Sequence, residues 1–260
     1  MLLLLALMSI PAAAATQAVP GSNVSLDVRV DSIGRRSDTI TVHYTLHSRV
    51  ESTEPLFHFT VDAPSPVQFI SLPTPAEDWA TGTLYRERFV AEWALLGDQM
   101  QPGDSSPPLR FEAVGLPTIV TFWARGYVPP PPLGPSDTLP LVEPTDPLET
   151  IAVAGKTVGI EPAPVDAVPV QLLTRIRGLL ADSCELEWVS RSSCSTFDTQ
   201  LADVQDRINT GDASAAGAAL EKLDIALDSE LHSTVNPRAY WLLRINVEFV
   251  VELLMRTPPP

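Results

Sequence analysis

The side chains able to do chemistry in this chain fall into a few small groups, and none has the spacing of a complete reactive constellation. Ala154-Gly155-Lys156-Thr157 matches the end of a phosphate-binding loop, but that motif requires a glycine five residues before Gly155, where Thr150 stands. His43 and His47 share one strand face, and His58 follows on the next strand. Four residues of strand span ~13 Å, too far for two ligands that must each sit about 2 Å from one metal. These read as solvent-facing strand histidines, and no metal or other cofactor is expected. No G-x-S-x-G elbow occurs. Gly103-Asp104-Ser105-Ser106-Pro107 has the composition of a turn. A Ser–His–Asp set assembled from distant residues stays open, because its geometry is spatial. Trp79, Tyr85, Trp93, Trp123 and Tyr127 are the best binding candidates. Trp93 and Trp123 share parity with apolar strand residues and read as core. Trp79 lies in the polar stretch PAEDWATG, and a core place and an exposed one weigh about equally. If exposed, its ring would stack on a sugar or anchor a partner, so Trp79 is the candidate binding residue.

The environment of these groups follows from the chain's start and its cysteines. Leu2 to Ile10 is an apolar run, followed by Pro11 and small residues. Residues 1–18 therefore read as a secretory signal, with cleavage after Ala14, Ala15 or Ala18, although no Lys or Arg precedes the run. The run is shorter than the ~20 residues a bilayer core needs, and no transmembrane span is expected in the mature chain. The expected location is secreted or periplasmic. Cys184 and Cys194 are then expected to be bridged, with two buried free thiols as the alternative. The short loop makes such a bridge worth roughly 2–3 kcal/mol.

The net charge is −15. Residues 19–128 carry 8 basic and 13 acidic groups, 129–166 carry 1 and 6, and 167–260 carry 8 and 13. The acid is spread evenly, which argues against a nucleic-acid partner, since phosphate binding needs Lys and Arg patches. Asn23-Val24-Ser25 is a glycosylation sequon that would be inert in a bacterial chain.

The elements that must position these residues change character along the chain. From Val24 the apolar period is two: Val24, Leu26, Val28 and Val30, then Ile40, Val42, Tyr44 and Leu46. Further short runs lie around Phe59, Val67, Trp93, Phe111 and Ile119, separated by Pro, Gly, Ser and Asp. Seven or eight such strands predict an antiparallel, immunoglobulin-like β-sandwich over residues 20–128. Residues 129–167 are proline-rich and read as a stiff linker. Within it, Ile151 to Gly159 fits one short strand, returning to the sandwich or joining the next domain.

From Val168 the period becomes 3.6. Leu172, Ile176, Leu179 and Leu180 mark a first helix. Phe197, Leu201, Val204 and Ile208 mark a second, capped by Ser195 or Thr196. Asp212 caps a third, and Asn236-Pro237 starts a fourth. Arg244, Glu248 and Glu252 form a narrow stripe on the fourth, which is otherwise apolar and should be the most buried. Asn246 lies opposite that stripe at 100° per residue, so its amide should face the bundle interior and bond a backbone group of a neighbouring turn, the cysteine loop being one candidate. Residues 168–256 thus predict a four-helix bundle that folds apart from the sandwich, and 257–260 a disordered tail. The fold class is α+β.

The helical part resembles the FIMAH-type modules at the C-termini of many secreted bacterial proteins. The resemblance rests on Leu173, Ile176, Leu179 and Leu180, on the turn Gly211-Asp212, and on Ala216, Leu220 and Leu223. It covers about a third of the chain and implies an accessory, non-catalytic module. The function expected is that of an extracytoplasmic interaction protein and not an enzyme, with an unknown protein or glycan partner. The alternatives are carbohydrate or cell-wall polymer binding through Trp79, and a hydrolase with a scattered site.

Overall fold

The computed structural model describes residues 23–127, 148 and 152–256. The signal-like leader, most of the proline-rich stretch and the terminal TPPP lie outside the described residues. No helix among them is long and apolar enough to cross a membrane.

Among the described residues nine strands form the first part: β1 Leu26–Arg36, β2 Thr39–Ser48, β3 Leu56–Asp62, β4 Val67–Ile70, β5 Trp79–Tyr85, β6 Arg88–Leu95, β7 Leu109–Val114, β8 Leu116–Gly126 and β9 Val153–Glu161. They pair antiparallel in two sheets, β1-β2-β7-β4 and β5-β6-β3-β8-β9. Alternation drives this: Ile40, Val42, Tyr44 and Leu46 of β2 are fully buried between the sheets. The order places β1, β2, β7 and β4 as the A, B, E and D strands of an immunoglobulin-like sandwich, and β3, β8 and β9 as C, F and G. An aromatic cluster fills the centre. Tyr44 stacks on Phe111, with ring centroids 6.1 Å apart, and Phe59 stacks on Trp93 at 6.0 Å. The buried Tyr44 hydroxyl donates to the Val158 carbonyl, and burial raises its pKa well above the usual tyrosine value.

β9 decides between the two places the sequence allowed for this strand. It pairs with β8 from Leu116↔Glu161 to Ala124↔Val153 and closes the five-stranded sheet. The sandwich therefore ends at Glu161 and not at residue 128. Residues 153–161 of the apparent linker are thus a strand of the sandwich. Lys156 of the Ala154–Thr157 string lies in this strand, with Nζ 3.0 Å from Thr121 Oγ1.

Four helices follow among the described residues: α1 Pro169–Glu185, α2 Arg191–Asn209, α3 Ala213–Glu230 and α4 Pro237–Arg256. Consecutive helices pack together and α4 closes on α1, as in an up-down bundle. Asp212 caps α3 by accepting from Ala215 N at 2.9 Å. Gly211 supplies the left-handed turn before it, with φ of 79°. The cap of α2 is Ser190, which accepts from Ser193 N, and not Ser195 or Thr196. The helix begins early because Val189 bridges Val235 and Ser190 N bonds Thr234 O, fixing the chain just before it. Cys184 and Cys194 are bridged, which ties the end of α1 to the first turn of α2. The loop between them buries Trp188 beneath the Arg238 guanidinium, 5.5 Å from the ring centroid.

α4 also packs on β1, β8 and β9, across the open side of the sandwich. The edge strand β1 would otherwise present unpaired carbonyls to water. Arg238 Nε donates to Val28 O at 2.7 Å and Trp241 Nε1 to Asp31 O at 3.1 Å. One helix thus serves as bundle wall and as sheet cover, and the buried residues of both parts form one continuous cluster.

Candidate functional site

The residues singled out from sequence do not converge. Trp79 is 6% exposed and belongs to the sandwich core, which corrects the reading of an exposed stacking ring. The polar stretch before it curls into a single 3-10 turn, Ala76–Asp78, and ends one residue early. Trp79 is then the first residue of β5, in register with Leu95. Trp93 and Trp123 are buried as expected. The histidines also separate. His43 and His47 lie on β2 and His58 on β3, which belong to different sheets. His58 is not solvent-facing: its side chain is 12% exposed and its Nε2 lies 2.8 Å from Glu92 Oε1. Among the described residues no group of acidic, histidine or cysteine side chains could hold a metal. Ser105 Oγ comes within 3.1 Å of His47 Nδ1, but both are exposed. Asp104 is occupied in its own turn, accepting from Gln101 N.

What the fold builds instead is a polar joint between sandwich and bundle. Asn246 is 2% exposed. Its Nδ2 donates to Pro117 O of β8 at 3.1 Å and to Leu242 O of its own helix at 2.7 Å. Its Oδ1 accepts from Arg175 of α1. Arg175 also donates to Pro117 O at 2.8 Å and to Glu161 Oε1 at 2.6 and 2.8 Å. The buried, hydrogen-bonded amide matches the expectation, but it turns towards the sheet and not into the bundle interior, and its partners are a sheet carbonyl, the Leu242 carbonyl of its own helix and a guanidinium and not the cysteine loop.

Beside this joint, the tip of the β1–β2 hairpin and the last turns of α4 enclose a cleft of about 650 Å³. Arg35, Ser37, Asp38, Glu248, Phe249, Glu252 and Arg256 line it. Helical spacing puts Glu248, Glu252 and Arg256 on one face, so the cleft takes in two of the three residues of the stripe Arg244, Glu248 and Glu252 and adds Arg256. Ser37 takes a left-handed backbone, φ 57°, which turns the hairpin and lets Arg35 Nε donate to Ser37 O at 3.0 Å. The Arg35 side chain is only 11% exposed and grips Glu252 with both terminal nitrogens, at 2.8 and 3.1 Å. Its guanidinium lies 4.8 Å from the Phe249 ring centroid. Arg256 approaches the same carboxylate at 3.4 Å.

A second groove, of about 280 Å³, lies between α3 and α4 and shares Glu248 and Glu252 with the cleft; Leu220, Glu221, Asp224, Val247 and Val251 also line it. Two of its residues, Asp224 and Glu248, pair with Arg244, which answers three carboxylates: Asp228 at 2.8 Å, Glu248 at 3.0 Å and Asp224 at 3.7 Å. Burial, opposed by Arg244 and reinforced by Asp228 and Glu248, raises the Asp224 pKa. Burial works against the charge of Arg244, but hydrogen bonds to Glu248 and Tyr240 and the nearby Asp224 raise its pKa further.

A carboxyl with a raised folded-state pKa gives stability that is full below the unfolded pKa and lost as pH rises through the folded value. Asp224→Asn is therefore expected to raise the melting temperature at pH 7 by about 1–3 °C. The difference should vanish in acid, where wild-type Asp224 is protonated in both states. A variant less stable at pH 7 would show that the Arg244 contact outweighs the burial.

No family model matches the chain, and no curated protein matches it. Among solved structures, it is similar to an uncharacterized protein from Nocardia farcinica with an immunoglobulin-like fold, at 14% identity and a TM-score of 0.28, over 54% of this chain and 98% of that one. It is also similar to part of the GH20 exo-β-N-acetylglucosaminidase of Vibrio harveyi, at 9% identity and a TM-score of 0.27, over 56% of this chain and 20% of that one. Two antiparallel sheets followed by four helices make the chain an α+β protein with an immunoglobulin-like sandwich.

Proposed function

We propose that this protein is an extracytoplasmic, non-catalytic interaction protein that receives a partner in the cleft where sandwich and bundle meet. The observation that carries the reading is the position and lining of that cleft. Binding sites favour the boundary between two packed units, and this one presents carboxylates, guanidinium groups and one aromatic ring. Glu252 is already held by Arg35 and Arg256, so a charged partner would bind by exchanging ion pairs. The Cys184–Cys194 bridge supports an oxidising compartment, and the apolar run Leu2–Ile10 supports export. The likeness of the helical part to FIMAH-type modules supports an accessory role.

A photo-crosslinking side chain at Asp38, on the cleft rim, is expected to capture a cell-envelope protein in the producing cell. The same group at the exposed Val50, remote from the lining, should not. Equal capture at both positions would defeat the proposal. Binding to purified wall polymer that is lost in Phe249→Ala would favour the glycan reading, now without Trp79. Turnover of an ester or peptide substrate would favour the hydrolase.

A further inference from the structure

The groove between α3 and α4 combines an apolar floor with an acidic rim. Leu220 and Val247 of the floor are buried and Val251 is half-buried. Four carboxylates line the groove, and no Lys or Arg does. Two of the four are answered from outside it. Glu248 is held by Arg244 at 3.0 Å and Glu252 by Arg35 at 2.8 Å. The other two are not answered in this way. Glu221 is exposed and pairs with no cation among the described residues. Asp224 Oδ1 is buried and accepts no hydrogen bond, since the nearest Arg244 nitrogen stands off at 3.7 Å. The Asp224 side chain is 27% exposed, so a ligand in the groove can reach the carboxylate. Burial works against its charge. A carboxyl that weakens the fold where it stands points to a task in binding.

We infer that this groove holds one long cationic side chain, a Lys or Arg, presented by the partner protein. The inference rests on the reading of the neighbouring cleft as the partner site, with which the groove shares Glu248 and Glu252. A volume of about 280 Å³ suits a side chain and not a folded segment. Val247 and Val251 are four residues apart on α4, which makes an apolar strip ~6 Å long, about the reach of a lysine stem. Lys and Arg lay such stems on apolar surface while the charged head stays at the rim. The head would then meet Glu221 and Asp224, the two carboxylates in want of a cation. An aliphatic or aromatic side chain would cover the floor but strip water from these carboxylates and give no donor in return. An acidic one would be repelled. A small bare cation would leave the floor wet.

The probe is Nα-acetyl-lysine methylamide, titrated into the full chain and followed by the methyl NMR signals of Leu220, Val247 and Val251. Saturable shifts are expected, with a Kd on the order of 10 mM, as for a single side chain. The norleucine analogue keeps the stem without the charge, and methylammonium keeps the charge without the stem. Each should bind about tenfold more weakly or worse. Glu221→Lys should weaken the lysine probe by about tenfold or more, with an unchanged melting curve. Glu51→Lys makes the same charge change at the exposed far end of β2 and should leave binding as it is. Absent shifts, equal shifts from norleucine or methylammonium, or equal weakening by the two variants each overturn the inference. In the cell, Glu221→Lys should abolish the capture expected from the crosslinker at Asp38. Capture that persists in Glu221→Lys overturns the basic anchor and leaves the cleft reading intact. A chain that binds the lysine probe but captures no protein loses the cleft reading, and the groove then belongs to a free amine and not to a partner protein.

Discussion

Replacing Asn246 by leucine is expected to destabilise the fold by about 2–3 kcal/mol, because a buried group loses its partners without gaining others. The amide is the centre of the joint: it donates to Pro117 O and Leu242 O and accepts from Arg175. Pro117 O keeps its bond from Arg175 Nη2, and Leu242 O remains inside a helix. The cost therefore falls mainly on the guanidinium, which would face an alkyl side chain with one donor unanswered. For a chain of this size the loss corresponds to a fall in melting temperature of roughly 5–10 °C. Asn246→Asp offers no escape, since it keeps the acceptor for Arg175 but turns a carboxylate towards two carbonyls. The joint also predicts strong coupling. Arg175→Met alone should be costly, because it strips Glu161, Pro117 and Asn246 of their shared donor. The double variant Arg175→Met/Asn246→Leu should then lose less than the sum of the two. An unchanged melting point for Asn246→Leu, or additive losses, would mean that water replaces the network without penalty.

That amide shows how far the sequence could be read. Helical periodicity placed Asn246 opposite Arg244, Glu248 and Glu252, so its burial was legible. Periodicity gives a direction from a helix axis and is silent on what packs there, so a sheet carbonyl as partner was not. Arg175 did carry a signal. It stands three residues after Leu172 and four before Leu179, both buried, so a charge sits within the apolar face of α1. Such a residue on a surface-packed helix points to a polar partner across the interface. The strand alternation through Leu46 and the 3.6 period after Val168 were legible because each is a local consequence of one buried face. β9 was only half legible. Its composition suggested a strand, but its partner β8 lies across a long proline-rich connection, which reads locally as a linker. Trp79 misled for a related reason: the polarity of PAEDW describes the turn before the strand and not the strand that the tryptophan begins. The cleft was legible in one wall only: the stripe carrying Glu248 and Glu252 showed in the sequence, but the facing residues 35–38 are brought to it only by the finished fold.

The same joint bears on whether the helical part is a domain in its own right. Read from sequence alone, residues 168–256 should fold independently. α4 argues against that, since it is apolar almost all round and a helix of that kind must be buried on more than one side. Leu242, Leu243, Ile245, Val247, Val250 and Leu254 are all buried, and α1 and α3 cannot cover every one of those directions while β1 and β8 pack on the same helix. The fragment 168–260 expressed alone is therefore expected to bind a hydrophobic dye and to melt broadly, with helical circular dichroism but without a sharp transition. Its disulfide would still tie α1 to α2, so some helix should persist. The intact chain should instead unfold in one transition that includes both the sheet and the helix signals. The reciprocal fragment, ending after Glu161, should be prone to aggregate, because removing α4 uncovers the β1 edge and leaves Val28 O and Asp31 O without Arg238 and Trp241. A fragment 168–260 that melts as sharply and as high as the intact chain would refute this account. It would mean that the contacts of α4 with the sheets add orientation but little stability, and that the boundary near residue 167 separates two true folding units.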